Sequence, residues 1–571
     1  MRVQQISDTN YNKNHLSSRP KTKLQNNEIY FQAKFPNGMK KPKHIKAYIA
    51  YMNFARYNPL TKDFGGYKIP VHNEEISKKL LRNYDTLSFG YLFDFAKRKG
   101  VFSYIMDSKT GFVKTSLINR KENELMSDMI WITDTCNNMT LVKSQNPQDC
   151  TKVLNKIAEL YEGQKEVFNE VIKTPSKYKK SGIHVWQGQT GAGHCFVPQT
   201  QKPHHWFAKT RLESVGNYLQ QASDIILTGL NGGKYGYKTA EEIPQTVIDS
   251  IANCTKYLHS IKYPEARSCG AWEEQTFMAS LTSDTSICNQ GIRDVMKLMF
   301  APSENKELLK VRERILKSQH GDIFEDRKQL TSLLRLGEKR IQDQPDIETL
   351  APHPHGTKSK HMKFYERYYD SAMAFMPQTE IVDHNNFQRD IAKKLFVLKK
   401  LEKNLVRPNG AIRYKGDEYL NLDYHTLKDK QINNKKTNEA EWFLVSEIAD
   451  GYGAVARQIL EDLNAKGFLT GKEMKYLQIA LKGQTEFINR SYARITPKGM
   501  TKSNGYSCPA YKVPEAYEAV TCKNGKVKYV PGAHNPLTWA EASLYKASEN
   551  FLNNLKEFEK LGLTLEQISM M

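Results

Sequence analysis

Two short sequences in the chain place glutamates where acid–base chemistry could be done. Trp272, Glu273 and Glu274 stand directly before an amphipathic segment, and Glu515 ends a Val-Pro-Glu sequence in a long loop. Two carboxyl groups in different environments can divide a hydrolysis between them, because one stays protonated as the acid while the other stays ionised as the base. Acids in the first turn of a helix also complement the helix dipole, which gives Glu273 and Glu274 a purely structural alternative.

Other loops of the chain combine aromatic rings with charged or hydrogen-bonding groups. The residues are Trp131 with Asp134, Arg413 with Tyr414 and Asp417, Trp442 after a glutamate, and Trp539 in a Leu-Thr-Trp sequence. Flat aromatic faces beside fixed polar groups suit a pocket for a saccharide. Each of these loops is a weak signal alone, and Trp442 and Trp539 could equally pack in a core at the start of a helix.

Amphipathic helices dominate the chain from Tyr84 onward and must position these loops. Apolar residues recur at steps of three and four, which predicts roughly a dozen helices and few strands. The predicted helices cover 84–98, 134–143, 151–172, 206–227, 240–261, 274–300, 305–317, 323–341, 386–406, 439–466, 471–494 and 539–560. The irregular segments between them, notably 182–205, 264–274, 407–424 and 499–538, are the expected carriers of function.

The number of helices and the lack of a repeat together favour a closed ring. A solenoid should show a fixed-period repeat, and none appears in the sequence. We therefore expect one all-α domain over residues 81–571, in which pairs of helices close into a toroid. Residues 1–80 are rich in Asn, Lys, Tyr and Pro and lack a long helical period, so we expect a small irregular N-terminal extension or cap there.

Composition argues against two broad classes of protein. With 571 residues, 39% of them hydrophobic, the chain can bury a sizeable core, and no apolar run approaches the ~18 residues of a membrane span. The 84 Lys and Arg residues exceed the 62 Asp and Glu residues by a net charge of +22. Because acidic residues are interspersed with the basic ones, we interpret this charge as solvated surface and expect no nucleic-acid partner. A nucleic-acid complex would weaken steeply with salt, whereas a sugar complex would not.

The spacing of cysteines and histidines predicts neither a metal centre nor a disulfide framework. The eight cysteines include no C-x-x-C pair, which argues against a zinc ribbon and fits buried thiols in a reducing compartment. His194, His204 and His205 share one loop, but no regular ligand spacing follows them. We therefore expect no metal and no cofactor.

Taken together and in this order, the loop sequences resemble glycoside hydrolase family 15: the glucoamylases, the glucodextranases and the amylase-like part of the phosphorylase kinase regulatory subunits. The resemblance runs from about Tyr84 to Leu561 and implies an (α/α)6 toroid with its active site at one end. It also implies an inverting exo-glycosidase that releases β-D-glucose from the non-reducing ends of α-glucans such as glycogen, starch and maltooligosaccharides.

The resemblance assigns roles residue by residue. Glu273 would be the general acid and Glu515 the general base, at the ~6.5–9.5 Å separation of inverting enzymes. The matching substrate-binding residues are Trp131, Asp134, Trp272, Glu274, Arg413, Tyr414, Asp417, Trp442 and Trp539. Among them, Asp134 would bind hydroxyl groups of the terminal glucose and Glu274 would help to bind the next sugar.

The chain departs from the family pattern in several of these loops. Thr133 stands where the family usually has Arg, Gly270 where an acidic residue is common, and Ala516 where Gln usually follows the base. In the family's Pro-Gln segment, Gln201 and Lys202 replace Asp-Gly. These departures leave two alternatives open: a hydrolase of another α-glucoside such as trehalose or isomaltose, and a catalytically weak glucan-binding or regulatory module.

The termini bear on where the protein works. The first 20 residues lack the apolar stretch of a secretory signal peptide, so the expectation is a cytoplasmic protein. The C-terminal segment 557–571, acidic and then apolar, would also suit a bacterial effector delivered into a host cell. We expect a monomer whose partner is the glucan substrate, with no membrane contact.

Overall fold

A computed structural model describes most of the chain between residues 63 and 560. The described ranges are 63–64, 67–80, 86–116, 129–176, 195–196, 211–272, 279–343, 345, 347–348, 369–380, 386–417, 439–500, 502–503, 507–521 and 527–560. Several predicted features lie outside them, namely most of the N-terminal extension, Glu273, Glu274, the segment from Gln201 to His205, His194 and the end of the C-terminal segment.

Helices make up most of the described chain. In chain order they are α1 (Glu74–Leu80), α2 (Thr86–Arg98), α3 (Ile132–Gln145), α4 (Cys150–Glu162), α5 (Lys165–Lys173), α6 (Leu212–Leu230), α7 (Gln245–Ser260), α8 (Thr282–Phe300), α9 (Lys306–Leu316), α10 (Arg327–Asp343), α11 (Phe387–Leu405), α12 (Val445–Lys466), α13 (Gly471–Ala493) and α14 (Thr538–Lys560). A 3-10 helix, Ser371–Gln378, precedes α11. In α4, Val153, Ile157 and Leu160 are buried at the helical spacing that predicted them. None of the described helices is both long and apolar enough to cross a lipid bilayer.

Six of the described helices pack against one another in a closed ring. α3 packs on α6, α6 on α8, α8 on the 3-10 helix, the 3-10 helix on α12, α12 on α14, and α14 back on α3. A second layer lies outside this ring: α4, α7, α10, α11, α13 and α2 each pack on one or two of its members. The two layers confirm the predicted all-α toroid of paired helices.

The inner helices run parallel, so their N-termini meet at one end of the ring. Near the starts of α3 and α6, the Thr133 and Ser214 hydroxyl oxygens are 2.9 Å apart. Near the end of α3, the Lys143 ammonium lies 2.7 Å from the Asp224 carboxylate, farther along α6. α12 and α14 share one direction for the same reason, since residues at their starts, and again farther along, contact each other.

Each inner helix has a buried carboxyl group in its first turn or at its N-cap. In ring order these residues are Asp134, Glu213, Asp284, Asp370, Glu447 and Glu541, and each is at most 8% exposed. A helix N-terminus has a partial positive charge from its aligned peptide dipoles, which stabilises a nearby anion. Burial acts against this stabilisation and raises the pKa of both Asp134 and Glu541 to about 7. We call the end of the ring where these N-termini meet the acidic end.

Short strands form three antiparallel sheets in the described chain. β1 (Asp63–Phe64) pairs with β2 (Tyr67–Lys68), and β3 (Ile130–Trp131) with β4 (Cys195–Phe196). The third sheet has the order β5 (Val406–Arg407), β6 (Gly410–Ala411), β7 (Glu441–Trp442), β8 (Ala516–Thr521) and β9 (Val527–Pro531). It lies at the acidic end, because β5 follows the outer helix α11 while β7 and β9 precede the inner helices α12 and α14.

This third sheet corrects the prediction that 407–424 and 499–538 are irregular. Strands of two residues, as in β5 to β7, are too short to show the alternation by which a strand is recognised. The side chain of Arg494 links these short strands to one another. Its buried guanidinium donates to the carbonyl oxygens of Glu441 at 3.0 Å and Pro514 at 3.1 Å, and to that of Asn409.

Several predicted helices begin later than the apolar pattern indicated: α6 at Leu212 rather than at residue 206, α7 at Gln245 rather than at residue 240, and α8 and α12 by six or more residues. α8 begins at Thr282 rather than at residue 274, because Ala279 pairs with Ser268 in a β-bridge and Leu281 is extended. The predicted start of this helix at residue 274 was therefore wrong, and the first turn of α8 includes neither Glu273 nor Glu274. α12 begins at Val445 rather than at residue 439, because β7 precedes it.

The described residues from His72 to Leu80 contribute to the main hydrophobic core. Ile76 and Leu80 of α1 are buried in the hydrophobic cluster that also contains residues of α12, α13 and α14. The His72 ring stacks on Tyr517 of β8 with 4.4 Å between ring centroids. The end of the predicted extension thus contributes to the main core, while the domain boundary at residue 80 stays a prediction.

A glycine allows α6 and α8 to approach closely. A Cβ atom at Gly216 would lie 2.9 Å from main-chain atoms of Cys288 and Ile287. Backbone cannot yield as the end of a flexible side chain can, so any side chain at this position pushes two inner helices apart.

We predict that Gly216→Ala lowers the free energy of unfolding by about 1–3 kcal/mol, the usual range for overpacking. Gly90→Ala is the matched control, because no atom lies within 4 Å of its Cβ position in α2. The control should stabilise the protein by about 0.5–1 kcal/mol through helix propensity. Urea denaturation measures both, and equal effects of the two variants would contradict the close contact.

Candidate active site

The third sheet brings Arg413, Trp442 and Glu515 side by side. Ala411 pairs with Trp442 across β6 and β7, and Trp442 pairs with Ala516 across β7 and β8. Arg413 follows Ala411 by two residues and Glu515 directly precedes Ala516. Three predicted site residues that are far apart in sequence therefore occupy adjacent strands or strand ends.

Arg413 is held rigidly. Its Nε and Nη2 atoms donate to the two oxygens of Asp417 at 2.7 and 2.6 Å. The guanidinium lies 4.8 Å from the ring centroid of Trp442, 5.5 Å from that of Trp272 and 5.7 Å from that of Tyr414. A bidentate ion pair with aromatic rings around it fixes both the position and the plane of the cation.

Trp272 joins this group from the loop that precedes α8. Its indole Nε1 donates to Asp370 at 2.7 Å, and its ring centroid lies 6.4 Å from that of Trp442. Asp370 also accepts the Ala372 amide at 2.8 Å as the N-cap of the 3-10 helix. Trp272 is thus anchored at the acidic end, and Glu273 and Glu274, which follow it in sequence, lie outside the described residues.

Glu515 has a protonation equilibrium set by its surroundings. Burial raises the pKa of its carboxyl group to about 8, the Arg413 guanidinium acts against this rise, and Glu518 adds to it. Its main chain is fixed, since the amide donates to the His534 carbonyl at 3.1 Å. Its Oε2 atom has no hydrogen-bond partner among the described residues.

Asp134 lies close enough to Glu515 for their charges to interact. Burial raises the pKa of Asp134 to about 7, the Arg211 guanidinium opposes this rise, and Glu515 adds to it. Asp134 comes from the first turn of α3 and Glu515 from the third sheet. The ring and the sheet therefore meet at these two carboxyl groups.

Arg211 is the site residue that sequence reasoning missed. It stands directly before α6, is 1% exposed and forms an ion pair with Glu213. Arg211 thus supplies a positive charge near Asp134. The residue that precedes Asp134 in the sequence, Thr133, is uncharged. The sequence contained a signal, because the helix dipole disfavours a positive charge at a helix N-terminus. The predicted helix 206–227 concealed it by placing Arg211 inside the helix.

Two of the predicted tryptophans have the contacts of side chains that pack in a core. Trp539 packs against Phe443, with ring centroids 5.3 Å apart, and its Nε1 donates to Glu447 at 3.2 Å. Trp131 is 5% exposed and pairs with Cys195 across β3 and β4. The core alternative for Trp539 therefore fits its position, whereas the Trp442 ring contacts Arg413 and Trp272.

The described residues contain no group of three or more His, Cys, Asp or Glu side chains that could hold a metal ion. The described cysteines are free and buried. Burial raises the pKa of the thiols of Cys136 and Cys150 to about 12 and about 11, so both are protonated at neutral pH. The chemistry that the described site offers is therefore that of carboxyl groups, a guanidinium and aromatic rings.

Comparisons with known proteins find similarity in structure rather than in sequence. No protein-family model matches the chain, and no curated protein matches it. Among solved structures, a glycosidase variant matches over 82% of this chain and 98% of its own, with 10% identity and a TM-score of 0.49. A glycosidase variant in complex with glucose matches over 84% and 98%, with 10% identity and a TM-score of 0.45. A glucoamylase from Saccharomycopsis fibuligera matches over 83% and 97%, with 12% identity and a TM-score of 0.47.

We predict that Arg211→Met lowers the free energy of unfolding by about 3–5 kcal/mol, because it leaves Glu213 charged and buried without its partner. The double variant Arg211→Met, Glu213→Leu should recover at least half of this loss, since it removes both charges. Urea denaturation of the single and double variants measures the difference. A double variant less stable than Arg211→Met would contradict the pairing.

Proposed function

We propose that the protein is an inverting glycoside hydrolase that releases β-D-glucose from the non-reducing ends of α-glucans, with Glu273 as general acid and Glu515 as general base. The observation that supports this most is the environment of Glu515. Its carboxyl group lies beside the Arg413 guanidinium and the Trp442 strand, with one oxygen unpartnered among the described residues. A buried oxygen without a partner calls for an explanation, and a reacting water molecule provides one.

The groups around Glu515 suit a sugar ring. The partly buried ring of Trp272 offers an apolar face for the C–H groups of a pyranose, and the Trp442 ring, which is 3% exposed, packs behind it against the Arg413 guanidinium. Arg413, fixed by Asp417, and Asp134 offer a donor and an acceptor for its hydroxyl groups. Binding energy of this kind orients the anomeric carbon toward the water that Glu515 activates.

The remaining predicted residues have supporting roles in the proposal. Tyr414 faces the Arg413 guanidinium. Trp131 and Trp539 pack at the starts of α3 and α14 and support the sides of the proposed pocket there. Glu274 is assigned to the second sugar by the family resemblance.

The proposed reaction transfers two protons and exchanges one bond for another. Glu273 gives its proton to the glycosidic oxygen as the bond from this oxygen to the anomeric carbon breaks. A water oxygen forms the new bond to that carbon from the opposite face, and Glu515 accepts the proton that the water loses. The configuration at the anomeric carbon is inverted, so an α-glucoside yields β-glucose.

The anomeric form of the first product tests this mechanism. Proton NMR of the protein with glycogen and with maltose should show β-glucose before α-glucose. We predict that Glu273→Gln and Glu515→Gln each lower kcat by at least about 100-fold, the usual contribution of a general acid or base. Glu304→Gln is the control, because it makes the same chemical change at an exposed position, and it should keep full activity.

Three outcomes of this experiment would count against the proposal. α-Glucose as the first product would contradict inversion, and near-normal activity of Glu273→Gln would contradict the assigned acid. No detectable hydrolysis of glycogen, maltose, trehalose or isomaltose would contradict the proposed hydrolase activity. Glycogen binding without hydrolysis would then favour a glucan-binding module.

The raised pKa of Glu515 predicts the acid side of the pH profile. The base must be ionised to accept a proton, so kcat/KM should rise with pH up to about 8, the pKa of this carboxyl group. We predict that Glu518→Gln moves this limb to lower pH, because it removes a negative charge that raises the pKa of Glu515. A limb near pH 4.5 in the unmodified protein would show that another group, or an exposed Glu515, governs the reaction.

A further inference from the structure

A cleft lies at the end of the ring opposite the acidic end. Its volume is about 780 Å³, and it is lined by the first three turns of α11, the first turn of α13 and the last turn of α12. α12 begins at the acidic end and has 22 residues, so its last turn is about 30 Å away at 1.5 Å per residue. The cleft is therefore separate from the candidate active site.

Basic side chains dominate the charged lining of this cleft. They are Arg389, Lys393, Lys466 and Lys472. The lining also includes the carboxylate of Glu473, which is engaged in a capping box. It accepts the Thr470 amide at 2.8 Å and the Gln388 side-chain amide at 3.1 Å. The excess charge that faces the cleft is positive.

Two of the four cations already have polar partners on the protein, and Lys472 lies 5.8 Å from the ring centroid of Tyr476. Lys466 pairs with Asp462 at 2.8 Å, and Lys393 donates to the Gln342 carbonyl at 2.7 Å. Arg389 and Lys472 form neither an ion pair nor a side-chain hydrogen bond with any part of the chain that the structure describes. Both are therefore ready to contact an anion.

The positive charges of Arg389 and Lys393 also repel each other. They stand one turn apart on α11, and burial and the Arg389 charge both lower the pKa of Lys393, against the opposite effects of Asp390 and Asp343. Like charges at this spacing destabilise a helix. An anion between them would remove that cost.

An aromatic ring stands beside these charges. Phe396 lies in the cleft lining and is 42% exposed, although a large apolar side chain gains by burial. The cleft thus has a cationic part and an aromatic part, which matches a ligand that has an anionic group attached to a ring.

We propose that this cleft binds the phosphate group of a small phosphorylated molecule whose ring rests on Phe396. The Arg389 guanidinium can donate two parallel hydrogen bonds to phosphate oxygens, and Lys472 adds a point charge. Sugar phosphates and nucleoside phosphates share this chemistry. The site requires no hydrolase activity, so it stands or falls separately from the proposed function.

Isothermal titration calorimetry of the full chain tests the site with three probes: inorganic phosphate, glucose 1-phosphate and adenosine 5′-monophosphate. The buffer should contain about 0.15 M NaCl, which screens diffuse surface attraction beyond ~8 Å. We expect saturable 1:1 binding of at least one ring-bearing phosphate, tighter than that of inorganic phosphate. The probe that binds more tightly identifies the ring as a sugar or a base.

Two variants and a control separate the cleft from general surface charge. Arg389→Gln with Lys472→Gln should weaken binding at least tenfold, as expected for charge-assisted hydrogen bonds. Phe396→Ala should weaken the ring-bearing probe but not inorganic phosphate. Lys306→Gln with Lys328→Gln removes two exposed charges elsewhere and should leave binding unchanged.

The proposal fails if none of the probes binds saturably, or if the control weakens binding as much as the cleft variant. It also fails if Arg389→Gln with Lys472→Gln, folded by circular dichroism, binds as the unmodified protein does. If Phe396→Ala weakens all three probes equally, the aromatic part of the proposal is overturned.

Discussion

The structure depends on the parallel arrangement of the inner helices, which gathers their N-termini at the acidic end. A helix N-terminus stabilises a nearby carboxylate by about 0.3–2 kcal/mol, but burying that carboxylate costs several kcal/mol. Hydrogen bonds must supply the rest, at about 1.5–3 kcal/mol for each bond to a charged group. The loops provide them: Asp370 accepts the Trp272 indole, and Glu541 accepts the main-chain and side-chain groups of Ser103. The buried acids are thus the anchors that fix the loops over the ring.

The candidate site has two halves of different construction. Asp134 and Trp272 are positioned by the ring, whereas Arg413 and Glu515 are positioned by strands too short to be stable alone. Arg494 compensates for that shortness, because one buried guanidinium satisfies carbonyl groups from three segments of the sheet. Burial lowers its pKa to about 10, which leaves it charged at neutral pH. Glu515 therefore has a fixed main chain on one side and, on the other, a carboxyl oxygen that no described residue contacts by a hydrogen bond.

Periodicity predicted the helices because apolar faces at a spacing of 3.6 residues reflect burial directly, whereas the ring was predicted from the lack of a repeat and from the family resemblance. It could not predict where α8 and α12 begin, since the turns before them contain apolar residues that belong to a bridge and a strand. The loop residues of the candidate site were predicted from their sequence order and chemical type. Arg211 was not, because its role comes from the approach of α6 to α3, a contact that no local pattern records. The roles of Glu273 and Glu274 remain predictions of the resemblance.

The far cleft and the third sheet are joined by the same two helices. α11 begins in the cleft and ends directly before β5, and α13 begins there and ends directly before Arg494. Coupling between distant sites requires an element with two arrangements. Arg494 is fully buried and is held by several carbonyl groups at once, so the sheet has little room for a second arrangement. A ligand that orders the first turns of α11 and α13 should therefore act on the stability of the ring, by mass action, more than on the geometry around Glu515.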